Sequence, residues 1–419
     1  MSSERLMGYI GQIDDSIIAE ADLPLTMTKP SKYPWIRWIP LAAVAAVCLL
    51  VVIPLWLNWI QPNTPLQPSD LPKLTVNTEL GAFGFEGYLA YDISELQNSN
   101  PWAEDNQLTT LPVFTNPNEY DRAGAPVDGL SPQEMLAEAE KIANLLGLEI
   151  TSQNTSMYQV TAKCRGAEIE IQMDGHVLLT LAPERVHLAK EIGKLSDYNS
   201  LTISFEYGYE VIGEALYSRG MPLPDGYSFT YENTSNEQAL EITQYLFSEY
   251  GSFMGITTAG YDLAAAYTYD GVLTRLHTFV FENAGSLTER ILNYNFNRLY
   301  FAATELGELG AISYYKADLS QKVGDYPIIT AAEARQLLLE NHYITSVPEA
   351  FPGEEYIAHV ELIYRTGRLD TVFMPYYKFW VEMPTMELKN GLKTFGVFYV
   401  PAVQSQYLEN MPVWDGSFN

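Results

Sequence analysis

Cysteine is almost missing from this sequence: Cys48 and Cys164 stand alone among 419 residues. Cys48 lies inside an apolar run, so Cys164 has no partner for an intrachain disulfide in the rest of the chain. Histidine is scarce as well. His176, His187, His277, His342 and His359 are scattered, no two at metal-ligand spacing, and neither His-Glu-x-x-His nor Cys-x-x-Cys occurs. A Gly-x-Ser-x-Gly elbow, a P-loop and a dinucleotide fingerprint are also missing. Basic residues are few. Twenty-four Lys and Arg face 52 Asp and Glu, a net charge of −28, which argues against a nucleic-acid partner and against lying flat on anionic lipid. Aromatic residues are plentiful, with 29 Tyr and 17 Phe. A chain of this length and apolar content is expected to bury a sizeable core rather than form an acidic disordered stalk.

One long apolar run is present. Residues 39–60, from Ile39 to Ile60, carry no charge, enough to cross about 30 Å of hydrocarbon at 1.5 Å per residue. Trp35 and Trp38 flank one end, Trp56 and Trp59 the other, as in an aromatic belt. Lys29, Lys32 and Arg37 precede the run closely, and only Lys73 follows at comparable distance. The expectation is an uncleaved signal-anchor helix, single-pass, with residues 1–38 cytoplasmic and the bulk of the chain outside the cell membrane, at a bacterial surface by its lack of disulfides. In residues 1–38, Leu6, Ile10, Ile13 and Ile17 recur at helical spacing and mark an amphipathic helix that either docks a cytoplasmic partner or rests at the membrane surface. Residues 61–72 hold Pro62, Pro65, Pro68 and Pro72, an extended linker.

Beyond the linker the sequence repeats a grammar. Ser131-Pro-Gln-Glu134, Ser235-Asn-Glu-Gln238 and Thr330-Ala-Ala-Glu333 are capping boxes, each opening a helix. Gly147 and Gly251 stop the first two, and the third fades near Asn341. Alternating runs with tight-turn signals at Arg165-Gly166, Asp174-Gly175, Asp270-Gly271 and Thr366-Gly367 follow them. The expected fold class is α+β: one transmembrane helix, then repeated helix-plus-antiparallel-hairpin units, with domains at 73–234 and 235–419.

The stretch from Leu319 through Tyr326-Pro-Ile-Ile-Thr330 to Leu338, with Phe395-Gly-Val-Phe-Tyr-Val-Pro-Ala-Val403, resembles the YycH/YycI group over residues 305–405. Residues 131–181 more loosely resemble PepSY-like domains, and the layout is similar to that of single-pass membrane proteins of anaerobic Gram-positive bacteria. The resemblance implies regulation of a membrane histidine kinase, or by extension of a cytoplasmic sigma factor, and brings no catalytic residues with it.

With no catalytic motif, the expectation is no enzyme, no cofactor and no metal. Glu354-Glu355 reads as a solvated turn. Aromatics crowd the last unit: Tyr364, Phe373, Tyr377, Phe379 and Trp380 are either a sheet core or a peptide- or glycan-binding platform. The functional expectation is a non-enzymatic, membrane-anchored extracytoplasmic regulator or sensor. The alternatives are a binding or assembly module acting only outside, and an exported hydrolase whose site carries no familiar motif.

Overall fold

A computed structural model describes residues 70–78, 89–91, 98–122, 124–227, 234–251, 254–267, 273–386 and 393–416, all within one compact unit spanning 65–419. The tail residues Leu6, Ile10, Ile13 and Ile17 and the apolar run 39–60 lie outside the described residues.

Strands β1 (Leu89–Tyr91) and β2 (Thr110–Thr115) precede helix α1 (Pro132–Leu146). Ser131 and Glu134 cap α1 reciprocally, and Gly147 ends it in the left-handed region at φ 65°. A meander follows: β3 (Ile150–Thr155), β4 (Gln159–Cys164), β5 (Ala167–Gln172) and β6 (Val177–Leu181). A 3-10 run, Pro183–Leu195, returns the chain to β7 (Ser200–Phe205), which lies parallel to β6. Then come the hairpin β8 (Tyr209–Ile212) and β9 (Ala215–Ser218), helix α2 (Asn236–Tyr250), β10 (Ala259–Tyr267) and β11 (Leu273–Glu282). Helix α3 (Leu287–Phe296) leads into β12 (Asn297–Ala303), β13 (Leu309–Lys316) and β14 (Lys322–Pro327). The chain ends on α4 (Ala331–Leu339), β15 (Ile344–Thr345), β16 (Ile357–Tyr364), β17 (Val372–Phe373), β18 (Pro375–Glu382) and β19 (Lys393–Pro401).

These elements correct the expected fold class. The described chain is mostly sheet, and none of its helices is long and apolar enough to cross a membrane. The longest α-helices, α1 and α2, have 15 residues. That is about 22 Å, short of a span, and each buries only one stripe. The helix-plus-hairpin units are also not separate small sheets. Nine strands form one sheet in the order β10-β11-β12-β13-β7-β6-β5-β4-β3, because a small piece alone would leave open edges where its neighbours can pair. The pairing of β7 with β13 crosses the boundary expected at 234/235. Around the second core, β1-β19-β18-β16 form another sheet with β15 on β19, and β14-β2-β17 a three-stranded one.

Helix α3 lies outside the three helices marked from the sequence. Its capping box, Ser286 with Glu289, is as complete as the other three, but it follows β11 closely and is short. The strand pairing begins only at Asn297.

One face of the nine-stranded sheet is sealed. Val160, Ile169, Leu179, Ile203, Ile312 and Phe301 meet Met135 and Ile142 of α1, Ile192 of the 3-10 run and Leu246 of α2, all at most 2% exposed. A strap from Asn98 to Trp102 ties this sheet to the C-terminal one. Ser99 donates its backbone N–H to Asp262 of β10 at 3.1 Å, and Asn98 Nδ2 donates to Glu361 of β16 at 2.5 Å. Both carboxylates are buried, and each is satisfied further, Asp262 by Tyr294 Oη at 2.8 Å and Glu361 by Trp380 Nε1 at 2.9 Å.

Candidate functional site

The opposite face of the same sheet is the candidate site. Cross-strand register lines up one residue from every strand: Asn154, Thr161, Glu170, Leu178, Thr202, Ser313, Tyr300, Phe279 and Asp262. A second row runs Lys163, Glu168, Thr180, Ser204, Ala311, Ala302 and His277. Ser200, Tyr315 and Arg298 start a third. Strands β5, β6 and β7 alternate between buried and half-buried residues along their whole length, as strands do when only one face is covered.

The two ends of the row differ. At β10–β12, helix α3 lies over the face, and Phe279, Phe281 and Tyr294 form a small aromatic core there. The Arg298 guanidinium stacks on Phe279 at 4.6 Å and Tyr294 at 4.7 Å and donates to Tyr300 Oη at 3.1 Å. From β13 to β3 the face is half-open. Its floor is small and hydroxyl-rich, with Thr180, Ser200, Thr202, Ser204, Ala311 and Ser313 all half-buried. Tyr300 and Tyr315 stand at one side, and Glu168, Glu170 and Gln172 at the other.

One corner carries a tight cluster. His176 Nδ1 and Ser200 Oγ lie 2.6 Å apart. Asp174 Oδ1 accepts the His176 backbone N–H at 3.1 Å, and its Oδ2 accepts from Tyr120 Oη at 3.2 Å. Arg368 stacks on the Tyr120 ring at 5.2 Å and donates to the Gly124 carbonyl at 2.9 Å. Burial holds the His176 imidazole below its ordinary value, against the pull of Asp174 and Glu170. Burial and Asp174 push the Tyr120 hydroxyl up to about 12. A serine beside a neutral imidazole is a nucleophile–base pair in outline. The Asp174 carboxylate, however, is engaged by the His176 backbone and by Tyr120, not by the ring. Ser200 sits in a paired ladder opposite Tyr315, not on a turn or helix N-terminus that would supply oxyanion donors. Among the described residues, no group of His, Cys, Asp or Glu is placed to hold a metal ion.

The aromatic candidates are elsewhere, and the platform reading is corrected. Tyr364, Phe373, Tyr377 and Phe379 are at most 3% exposed and share one core, while Trp380 faces the other side of β18 in a second. Tyr364 Oη donates to the Pro112 carbonyl and Tyr377 Oη to that of Ile329, each at 2.8 Å, and the Phe373 ring meets Phe296. Both faces of β18 are covered, so these five aromatics offer no surface to a ligand. The open-face residues form no motif along the sequence, because only cross-strand register brings them together. Their signal was the period-two alternation in 159–181 and 200–205.

Fold and site together define a mostly-sheet unit whose large sheet has one largely sealed face and one polar, half-open face. Compared with known proteins, the chain matches no family model, no curated protein and no solved structure.

Proposed function

We propose that this chain is a non-enzymatic recognition protein, a sensor or regulator, that binds a glycan strand across the open face of its nine-stranded sheet. The observation that carries the reading is the row of hydroxyl, amide and carboxylate side chains opposite a face that is sealed over β4 to β7, β12 and β13. Backbone groups inside the ladder are already paired, so recognition falls to side chains. Serine and threonine hydroxyls, Gln172, Glu168 and Glu170 can each hydrogen-bond a polyol, and the Tyr300 and Tyr315 rings offer stacking surfaces beside the floor. Within the floor itself an apolar peptide would find only Leu178 and Ala311.

The test is a glycan array probed with the purified full-length chain, then with Thr202→Arg/Ser313→Arg, which fills the floor. Binding that the double variant loses while its circular dichroism stays unchanged supports the reading. An array with no binder, or equal binding by the variant, removes it. A histidine kinase as downstream partner rests on the resemblance of residues 305–405, and a sigma factor on the helical spacing of Leu6, Ile10, Ile13 and Ile17. Crosslinking followed by mass spectrometry tests it, and recovery of neither ends that part of the reading.

A second reading, hydrolysis through Ser200, draws on the 2.6 Å contact with His176. A fluorophosphonate probe that labels the native chain and not Ser200→Ala would favour it over recognition alone.

A further inference from the structure

At one end of the open face a hydroxyl is held by a titratable ring. Strand β6 runs parallel to β7, with Val177 beside Leu201 and Leu178 beside Thr202. Carried back one step, the same alternation puts His176 beside Ser200 on the open side. His176 is then in line with Leu178 and Thr180, and Ser200 with Thr202 and Ser204. The two side chains meet, Nδ1 and Oγ at 2.6 Å, and both residues are half-buried. The groups that face the ring come from separate elements. Strand β5 and its turn into β6 bring Glu170 and Asp174, and β13 sets Tyr315 opposite Ser200. The loop before α1 brings Tyr120 to Asp174, and the segment between β16 and β17 brings Arg368 over the Tyr120 ring. Burial, with Arg368, keeps a proton off the imidazole, while Asp174 and Glu170 pull the other way.

We propose that His176 is a positioning residue for the binding face: it fixes which way the Ser200 hydroxyl points, and so whether that end of the face accepts or donates a hydrogen bond. The inference rests on the glycan reading of that face. A serine hydroxyl has one proton and two lone pairs. A neutral imidazole with its proton on Nε2 has a bare Nδ1, and at 2.6 Å Ser200 donates to it. The remaining lone pairs of Oγ are then left for the open face, where a sugar hydroxyl donates to them. A protonated ring carries N–H on both nitrogens, so Nδ1 donates to Ser200 Oγ instead. The serine proton turns outward, and the same sugar hydroxyl meets a donor where it had an acceptor. Binding is therefore tied to the neutral ring and weakens as pH falls through the titration of His176, and by reciprocity a bound glycan makes the ring harder to protonate.

Two measurements on the full-length chain test this. The first needs no glycan. In a proton–nitrogen NMR spectrum of the histidine rings, the signal missing from His176→Gln identifies the ring. The expected result is the Nε2–H tautomer at neutral pH, with a titration midpoint below the ordinary 6.5. The second measurement repeats the glycan array at a pH well above and a pH well below that midpoint. The wild-type signal is expected to fall about two- to tenfold on the acid side, the worth of one hydrogen bond. His176→Gln and Ser200→Ala, each with unchanged circular dichroism, are both expected to flatten that profile. A merely structural role for either residue would not do so. An Nδ1–H tautomer overturns the proposal, as does equal wild-type binding at the two pH values. A pH profile that survives Ser200→Ala also overturns it, since the ring would then act by its charge and not through the hydroxyl. An array with no binder at either pH removes the glycan reading and this inference with it, a failure told apart because the tautomer is read without glycan.

Discussion

Strand β5 and strand β18 are both central strands of antiparallel neighbours, yet they are built for different purposes. Along β5, every second residue is buried and the rest are half-buried. Along β18, residues of both parities are buried, and only Lys378 and Glu382 reach intermediate exposure. The sequences say as much: Ala-Glu-Ile-Glu-Ile-Gln alternates, whereas Pro-Tyr-Tyr-Lys-Phe-Trp-Val-Glu does not. An alternating strand has one face to spare, and a continuously apolar one has none. In this molecule the chemically plainer strand is the one free to meet a ligand, and the aromatic-rich strand is committed to the core.

The difference is broken most severely by cutting into β18. Phe379 is fully buried, and Phe379→Ala is expected to cost about 3–5 kcal/mol through lost transfer energy and the cavity left behind, read by urea denaturation. Next comes the strap. Glu361→Ala removes the acceptor of the buried Trp380 Nε1 and of Asn98, and an orphaned buried donor costs about 1–3 kcal/mol. Glu361→Gln keeps an acceptor in place and is expected to lose less by the same measurement.

One carboxylate of the strap, Asp262, is set in surroundings that tie stability to pH. Burial raises Asp262 above its ordinary 3.8, against hydrogen bonds from Tyr294, Leu263 and Ser99. The folded chain therefore keeps this proton at higher pH than the unfolded chain does. The group adds stability as pH falls toward 3.8 and withdraws it as pH rises through the raised value. The capping carboxylates run the other way. Glu134, Glu289 and Glu333 are held below 4.5 by bonds from Ser131, Ser286 and Thr330. Their contribution is present above 4.5 and lost as pH falls through the depressed values. Asp262→Asn deletes the opposing group, so its stability is expected to fall more steeply than wild type as pH falls toward 3.8. Parallel denaturation curves at each pH check this, and equal slopes would contradict it.

Much of the fold was legible because it rests on local chemistry. All four described α-helices start at Ser or Thr followed three residues later by Glu or Gln, and the turns at Gly166 and Gly175 bound strands close to where they stand. Two things were not legible. The joining of hairpins into one sheet depends on the parallel pairing of Val177 with Leu201 and the pairing of Thr202 with Ser313, contacts between distant segments that no local pattern records. The site was hidden for a related reason. Thr161, Thr180, Thr202, Ser204 and Ser313 are ordinary strand residues one by one, and only register assembles them into a surface. The aromatics of 364–380 gave the stronger local signal, but burial of both faces of β18 depends on residues as far away as Leu71, Val76 and Tyr326.

The smallest effect is the most telling for the comparison. If the open face is a surface held for recognition, its hydroxyls contribute little to folding. Thr202 and Ser313 lie directly opposite each other and are half-buried, with no side-chain partner that the sealed core requires. Thr202→Val keeps the β-branched shape and its fit to the strand, and a substitution away from core, cap or buried network falls within about 0.5 kcal/mol either way. Ser313→Val is expected to behave alike, and the pair together to stay under about 1 kcal/mol despite their contact. A double-mutant cycle by urea denaturation measures all three terms. A loss of several kcal/mol would mean that these hydroxyls hold the sheet together, and the distinction between a face for folding and a face for binding would fail where it is drawn most sharply.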